Sequence, residues 1–261
     1  MTQLMGVVNV TPDSFSDGGL YLDPEAAIAH GRELVAAGAE ILDVGGESTR
    51  PGAAVVPAEE ELERVVPVIR GLRDLDCHIS VDTSKADVAE AAMDAGAVIV
   101  NDVTALRGDP EMAALCAERG ATVVLMHMLG DPRTMQDDPR YDDVVAEVKD
   151  FLAARLEAAT AAGVAEERVW LDPGLGFGKT AAHNMELLRR LGELRDLGRP
   201  LVVGTSRKSF IGRVDGSAAD ERLGGTIASS VIAAAEGADA LRVHDVAEMR
   251  QALAVATAIL G

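Results

Sequence analysis

Short apolar runs alternate with longer segments of helical periodicity along the whole chain. Eight runs have the length and composition of buried strands. They are Leu4–Val10, Ile41–Val44, Ile79–Val81, Val98–Val100, Thr122–Met126, Val169–Leu171, Leu201–Val203 and Ala240–Val243. Strands separated by helices usually pair in parallel, because a parallel connection needs a crossover long enough to hold a helix. The pattern therefore predicts a parallel sheet.

The segments between these runs carry apolar residues at three- and four-residue spacing, which is typical of amphipathic helices. They include Pro24–Ala37, Ala58–Leu75, Lys85–Ala95, Asp142–Ala162 and Arg222–Glu236. Eight strand–helix units in 261 residues match the size of a (β/α)₈ TIM barrel. An open, doubly wound sheet remains the structural alternative. Because no stretch resembles a linker, we expect one domain over residues 1–261.

The predicted loops differ in length on the two sides of the sheet. Connections from helix to strand are short and carry glycines suited to helix C-caps, namely Gly38, Gly96, Gly120, Gly163, Gly198 and Gly237. Connections from strand to helix are often long: Thr11–Asp23, Gly45–Pro57, Met128–Arg140, Pro173–Lys179 and Thr205–Asp220. In a parallel barrel the long loops lie at the C-terminal face, where active sites are built.

Nearly every apolar run ends in a polar or charged residue. The set is Asn9, Asp43, Asp82, Asn101 with Asp102, His127, Asp172, Ser206 with Lys208, and Arg242 with His244. A single residue of this kind is usually a hydrogen-bonded cap. Because the same pattern recurs at almost every strand, it predicts a pocket floor rich in hydrogen-bonding groups.

The stretch VWLDPGLGFGKT, residues 169–180, shows this pattern most clearly. Asp172 stands where the strand breaks into a glycine-rich loop, and a carboxylate there is costly unless a donor satisfies it. A ligand with paired N–H donors would provide one. The alternative is an aspartate that caps the helix beginning near Thr180.

The net charge of −19 argues against a nucleic-acid or anionic-membrane surface, since both need a concentrated positive face. The sequence has no run of about 18 apolar residues that would indicate a membrane span, and no charged leader that would indicate secretion. We therefore expect a cytoplasmic protein. Cys77 and Cys116 have no metal-ligand spacing and are assigned no chemistry.

Positive charge is concentrated in the loops after the seventh and eighth predicted strands. In a TIM barrel these two loops frequently form a phosphate site. They supply Arg207, Lys208, Arg242 and His244, so they predict an anion site. Two early loops add to it. NVTPDSFSDGG (9–19) has the composition of a lid, and GGESTRPG (45–52) suits an anion.

Taken together, these motifs resemble the dihydropteroate synthases. The chain carries, in family order, MGVVNVTPDSFSDGG, ILDVGGESTRPGA, SVDTSK, NDV, LMHM, TMQ, LDPGLGFGKT, GTSRKSFIG and RVHDV, from Met5 to Val246. The resemblance implies a (β/α)₈ barrel, often dimeric, that joins a dihydropterin methyl diphosphate to 4-aminobenzoate in folate biosynthesis with Mg²⁺. It also implies inhibition by sulfonamides.

The resemblance assigns roles residue by residue. The pterin-binding positions are Asp82, Asn101, Asp172 and Lys208; the diphosphate positions are Asn9, Thr49, Arg242 and His244. Asn9 is also the Mg²⁺ ligand position. The 4-aminobenzoate pocket is implied to contain Phe15, Thr49, Arg50, Pro51, Lys208 and Ser209. Asp17, Lys208, Arg242 and His244 are the implied catalytic residues.

The implied reaction is dissociative: diphosphate leaves, the pterin delocalises the resulting cation, and the aromatic amine attacks. Catalysis would then depend on positioning and charge placement. Two alternatives remain at this point. A pterin-binding methyltransferase domain would need no STRPG or SRKS segment, and a non-catalytic paralogue would bind pterin without turnover. For the dimer we expect contacts by the alanine-rich segment Ile227–Ala235.

Overall fold

A computed structural model describes residues 2–11, 23–48, 53, 55–131 and 134–260. Within these residues, eight parallel strands alternate with helices. The strands are β1 (Gln3–Asn9), β2 (Ile41–Gly45), β3 (His78–Asp82), β4 (Ile99–Asp102), β5 (Thr122–Met126), β6 (Val169–Asp172), β7 (Val202–Val203) and β8 (Ala240–Val243). Two of the predicted strands, β5 and β8, have the predicted bounds.

The sheet closes almost completely into a barrel. Consecutive strands from β1 to β6 are hydrogen-bonded neighbours, β8 pairs with both β1 and β7, and every pairing is parallel. β6 and β7 meet at an isolated bridge between Leu171 and Leu201, beside which the Leu171 amide donates to the Pro200 carbonyl at 2.9 Å. The predicted TIM barrel is confirmed, and the open doubly wound sheet is wrong because the two ends of the sheet meet.

Helices cover the outside of the barrel. Among the described residues they are α1 (Pro24–Ala37), α2 (Ala58–Leu72), α3 (Ala86–Ala95), α4 (Met112–Arg119), α5 (Val144–Ala161), α6 (Ala181–Arg189), α7 (Ser209–Asp215), α8 (Leu223–Ala235) and α9 (Val246–Leu260). Short 3₁₀ turns lie at Glu166–Arg168, Leu191–Leu197 and Ala219–Glu221. All six glycines predicted at helix ends have positive φ, which a side chain would strain.

A small apolar cluster fills the inside of the barrel. It consists of Met5, Ile41, Ile99, Val124, Val202 and Ala240, with Trp170 packed against it. Side chains two residues apart on a strand point to the same face, so residues two positions further along these strands also point inward, nearer the C-terminal mouth. Those residues are Val7, Asp43, Asn101, Met126, Asp172, Gly204 and Arg242. The apolar cluster therefore forms the base beneath a layer that holds two acids, an amide and a guanidinium.

Candidate active site

The strand register aligns the polar side chains of the first four strands. Asn9 pairs with Gly45, Gly45 with Asp82, and Asp82 with Asn101. Residues in one register row share a face of the sheet, so these side chains point toward the same interior. Gly45 leaves this row without a side chain between Asn9 and Asp82, and a Cβ there would lie 3.4 Å from that of Asp82.

A pocket lies above this row at the C-terminal mouth. It is lined by Asp82, Asn101, Val103, Met126, Asp172, Phe177, Gly204, Ser206, Lys208, Arg242 and His244. Lining residues come from β3, β4, β5, β6 and β8 and from the loops that follow β4, β6, β7 and β8. The mouth therefore combines three kinds of group: carboxylates and an amide, cations, and apolar walls formed by Val103, Met126 and Phe177.

Arg242 connects two acids at the base of the pocket. Its Nε donates to Asp43 Oδ2 at 2.6 Å, and its Nη2 donates to Asp82 Oδ2 at 2.9 Å. The Asn101 side-chain amide donates to the same Asp43 oxygen at 3.1 Å. Burial alone would lower the pKa of Arg242, but the charges of Asp43 and Asp82 outweigh it and raise that pKa. Burial also raises the pKa of Asp82, although Arg242 opposes the shift.

Asp172 ends β6 beside the pocket and is 7% exposed. Its Oδ1 accepts the Gly174 amide at 2.7 Å, and burial raises the pKa of its carboxyl group above the ordinary value. The helix-cap interpretation of Asp172 is wrong, because α6 is capped by the Thr180 hydroxyl, which accepts the His183 amide at 3.2 Å. The Asp172 carboxyl group therefore lines the pocket and caps no helix.

Lys208 reaches the pocket from the loop after β7. Its Nζ donates to the Leu175 carbonyl at 2.6 Å and lies 4.3 Å from the centre of the Phe177 ring, a cation–π distance. Burial lowers the pKa of Lys208 to about 8, while Asp172 opposes that shift. The ammonium thus lies between the acid of β6 and an aromatic wall.

The loops after β7 and β8 are joined by paired contacts. The hydroxyl of Ser206 and Nδ1 of His244 are 2.9 Å apart. Arg207 forms a two-pronged ion pair with Asp245, at 2.7 Å and 3.2 Å. Arg207 has a φ of 56°, which is uncommon for a residue with a side chain, and this ion pair helps to hold it there. The predicted anion-binding loops are therefore neighbours.

The remaining predicted residues fall into three groups. Asn9 ends β1 in the same row as Asp82, and Ser209 is exposed at the start of α7, but neither residue lines the pocket. Five other predicted residues lie outside the described part of the chain, and these are Phe15, Asp17, Thr49, Arg50 and Pro51. The third group consists of strand-end residues that do not line the pocket described here, Asp43, Asp102 and His127.

The reasons differ for these three residues. Asp43 lies one layer below the pocket and acts on it through Arg242. Asp102 accepts hydrogen bonds from Thr104 and the Leu106 amide, so it stabilises its own loop. His127 packs edge-on against the Phe151 ring at 4.8 Å. For Asp102 and His127, placement on the pocket floor was the wrong prediction.

Sequence reasoning missed the apolar walls of the pocket. Met126 is the last residue of β5 and shares a register row with Asp172, so the alternation along β5 would have placed it inward. Phe177 lies in the glycine-rich loop after β6, where a lone aromatic side chain was the available signal. Val103 carries no comparable sequence signal.

Comparison with known proteins agrees with this geometry. Residues 5–244 match the family described as pterin binding enzyme. A dihydropteroate synthase from Synechocystis is 48% identical over 260 residues, covering 99% of this chain and 90% of that protein. The chain belongs to the dihydropteroate synthases. Since its relatives are synthases, the methyltransferase interpretation is set aside.

Solved dihydropteroate synthase structures share the whole fold. The Yersinia pestis enzyme, determined as a sulfonamide drug complex, superposes with a TM-score of 0.96 at 46% identity, covering 99% of this chain and 94% of that one. The Xanthomonas albilineans enzyme with 4-aminobenzoic acid gives 0.92 at 50% identity, with 99% and 93% covered. Among the described residues of this dihydropteroate synthase, no helix is both long and apolar enough to cross a membrane.

Proposed function

We propose that this protein condenses (7,8-dihydropterin-6-yl)methyl diphosphate with 4-aminobenzoate, giving 7,8-dihydropteroate and diphosphate in folate biosynthesis. One observation carries the proposal: Asp82, Asn101, Asp172 and Lys208, assigned to the pterin from sequence, line one pocket although 126 positions of the chain separate the first from the last. The family and its sulfonamide- and 4-aminobenzoate-bound members support the same reaction.

The pterin ring fits the chemistry of the pocket. Its donor edge, an amine beside a ring N–H, would be accepted by Asp172, and its ring acceptors would receive hydrogen bonds from Lys208. Phe177 and Met126 supply apolar surface for a flat ring. The raised pKa of Asp172 falls back when donors of this kind satisfy its charge, so pterin binding and ionisation of Asp172 favour each other.

The diphosphate would lie toward Arg242 and His244, with Thr49 and Asn9 as further contacts. Arg242 presents a planar guanidinium suited to phosphate oxygens and also to stacking on a ring face. Mg²⁺ commonly keeps several waters and binds through one or two protein oxygens together with substrate phosphates. The side-chain oxygen of Asn9, in the register row of Asp82, fits such a site, where Mg²⁺ would supply charge neutralisation for the phosphates.

In the reaction, the bond between the pterin methylene carbon and the diphosphate oxygen breaks, and its electron pair leaves with oxygen. Arg242 and His244 stabilise the departing charge, while the carboxylates of Asp82, Asp172 and Asp17 favour the pterin cation. The amine lone pair of 4-aminobenzoate then forms the new C–N bond, and the nitrogen loses a proton. Phe15, Thr49, Arg50, Pro51, Lys208 and Ser209 would surround this second substrate.

Two further properties belong to the proposal. A cytoplasmic location follows from the soluble substrates of folate synthesis. A homodimer through α8 is supported by Leu223 and Ile232, which are exposed apolar side chains on that helix. Because both properties are independent of the pocket, neither affects the proposed reaction.

A turnover assay tests the proposed reaction. Purified protein is mixed with the pterin diphosphate, 4-aminobenzoate and Mg²⁺, and both dihydropteroate and released diphosphate are measured. We expect equal amounts of the two products. Asp172→Ala should abolish measurable pterin binding by calorimetry, whereas Asp196→Ala, an exposed ion-pair partner of Lys149, should leave it unchanged. Pterin binding without product in any metal condition would favour the non-catalytic paralogue.

A further inference from the structure

Lys179 is a buried cation that none of the roles above uses. It ends the loop after β6 (Pro173–Lys179) and is 3% exposed. Burial lowers the pKa of Lys179 to about 7, although the charge of Asp172 opposes the shift. A buried ammonium is costly unless its protons are hydrogen-bonded, and here acceptors surround it. Nζ donates to the carbonyls of Gly174 at 2.9 Å and Phe177 at 3.0 Å and approaches that of His127 at 3.4 Å. It lies 2.8 Å from Nδ1 of His127.

The contact with His127 has a defined direction. Burial, with the charge of Lys179 second, lowers the pKa of His127 to about 3, so the ring is neutral at physiological pH. Nδ1 then serves as the acceptor of the ammonium proton. Because the His127 amide also donates to the Asp172 carbonyl at 2.9 Å, Lys179 and His127 together join the ends of β5 and β6.

The loop between Asp172 and Lys179 needs such support. Gly174, Gly176 and Gly178 all have positive φ, and a Cβ at Gly174 would lie 1.9 Å from the His127 carbonyl oxygen. Glycines permit this shape but do not stabilise it, because they lose the most conformational freedom on folding. The Lys179 ammonium donates to the Gly174 and Phe177 carbonyls and so offsets part of that cost.

The same loop also contacts Lys208. The Leu175 carbonyl accepts from Lys208 Nζ, and the Phe177 ring lies beneath that ammonium. Leu175 lies one residue after Gly174, and Phe177 itself supplies a carbonyl to Lys179. Thus two lysines bind carbonyls of one loop, Lys179 from a buried position and Lys208 from the pocket.

We propose that Lys179 is a positioning residue for Lys208: by holding the carbonyls of Gly174 and Phe177, it fixes the Leu175 carbonyl and Phe177 ring that orient the Lys208 ammonium toward the pterin. This inference rests on the proposed role of Lys208. It predicts that Lys179 contributes to turnover only while Lys208 is present.

A double-mutant cycle tests this dependence. The variants are Lys179→Met, Lys208→Met and the double substitution, assayed for kcat/KM with the pterin diphosphate and for melting temperature. Lys179→Met should lower kcat/KM by about tenfold or more in the wild-type background. On the Lys208→Met background it should change kcat/KM by less than about twofold. Lys149→Met, which breaks only a surface pair with Asp196, is the matched control and should change neither.

The possible outcomes are distinct. If Lys179→Met lowers kcat/KM by the same factor in both backgrounds, or lowers the melting temperature with kcat/KM unchanged, Lys179 serves the fold alone and the inference is overturned. If Lys208→Met itself retains full turnover, the proposed role of Lys208 fails instead. Should Lys179→Met not fold, Lys179→Gln keeps a donor for the loop carbonyls. Phe177→Leu then completes a second cycle with Lys208→Met and must show the same non-additivity.

Discussion

At the scale of single residues, the charge of Arg242 is fixed by its surroundings. Asp43 is fully buried, and Arg242 and Asn101 both donate to its Oδ2, whereas its Oδ1 has no hydrogen-bond partner among the described residues. The raised pKa of Arg242 keeps the guanidinium charged at every working pH. Lys208 is different, because its lowered pKa lies close to neutrality. Of these two pocket cations, only Lys208 should titrate in the range where the enzyme works.

Turnover should therefore show an alkaline limit set by Lys208. The ammonium must be protonated to donate to the pterin, so kcat/KM should fall as the pH rises through about 8. In Lys208→Arg the side chain stays charged, so the residual kcat/KM should lose this limb although its maximum is lower. Rate measurements from pH 6 to 10 decide this. The same limb in Lys208→Arg would assign it to another group, such as Lys179, whose pKa burial lowers to about 7. Lys149→Arg should keep the limb.

At the scale of elements, a partly buried ion cluster connects α2 and α3 to the segment after β2. Lys85, directly before α3, pairs with Glu61 of α2 and with Glu47 after β2. Glu47 also accepts the Val56 amide at 3.1 Å, so it ties the two ends of its own loop together. Glu61 is fully buried, and removal of its cation would leave a carboxylate that water cannot reach.

Lys85→Met should consequently be strongly destabilising, by about 3–5 kcal/mol, because it leaves Glu61 buried without its partner. Denaturant unfolding monitored by circular dichroism measures the change. Lys149→Met, at an exposed pair, should cost at most about 1 kcal/mol.

Adding Glu61→Leu to Lys85→Met should restore part of the lost stability, since an apolar replacement of both partners removes the unpaired charge. A mild effect of Lys85→Met alone, or a double variant less stable than the single one, would contradict the assigned role of the cluster.

Sequence patterns located the elements well where local signals end them. Pro24–Ala37 was predicted to the residue, because Asp23 caps its start and Gly38 ends it in a left-handed conformation. The predicted helix Ala58–Leu75 ends instead at Leu72, with Arg73 as its C-cap and no glycine to mark the point. Positive φ at Ala105 and Leu106 could not be predicted either, because hydrogen bonds to Asp102 hold that turn.

Only the polar residues of the candidate site were predicted from the sequence. Alternation along strands places Asp82, Asn101 and Asp172 at the mouth, since side-chain direction has a period of two. The role of Lys179 has no such signal, because its acceptors are backbone carbonyls whose positions depend on loop shape. The strand register was likewise needed to show that Asp43 lies one layer below Asp82.

At the scale of the whole molecule, the strength of strand pairing varies around the barrel. β1 and β2 pair over five registered residues, whereas β6 and β7 share the bridge at Leu171 and Leu201. β7 itself is two residues long. Local opening needs the least free energy where few backbone hydrogen bonds must break. We name the boundary between β6 and β7 the seam, because it is the weakest pairing among the described strands.

Hydrogen exchange should detect the seam. The Leu171 amide, which donates across the seam to the Pro200 carbonyl, should exchange measurably faster than the amides of Leu42 and Val44 in β2, although all three residues are fully buried. Native-state exchange followed by NMR or mass spectrometry gives the comparison. Equal protection at the three amides would mean that the helices outside, and not strand pairing, limit opening of the barrel.

The position of the seam also determines which part of the barrel a bound substrate would stabilise. Asp172 lies at the end of β6 and Lys208 in the loop after β7. A pterin bound by both would therefore link two strands that share little backbone hydrogen bonding. Pterin binding should then slow exchange at the Leu171 amide first, in a ligand-dependent gain of stability. A bound pterin would in this way strengthen the barrel at its weakest strand pairing.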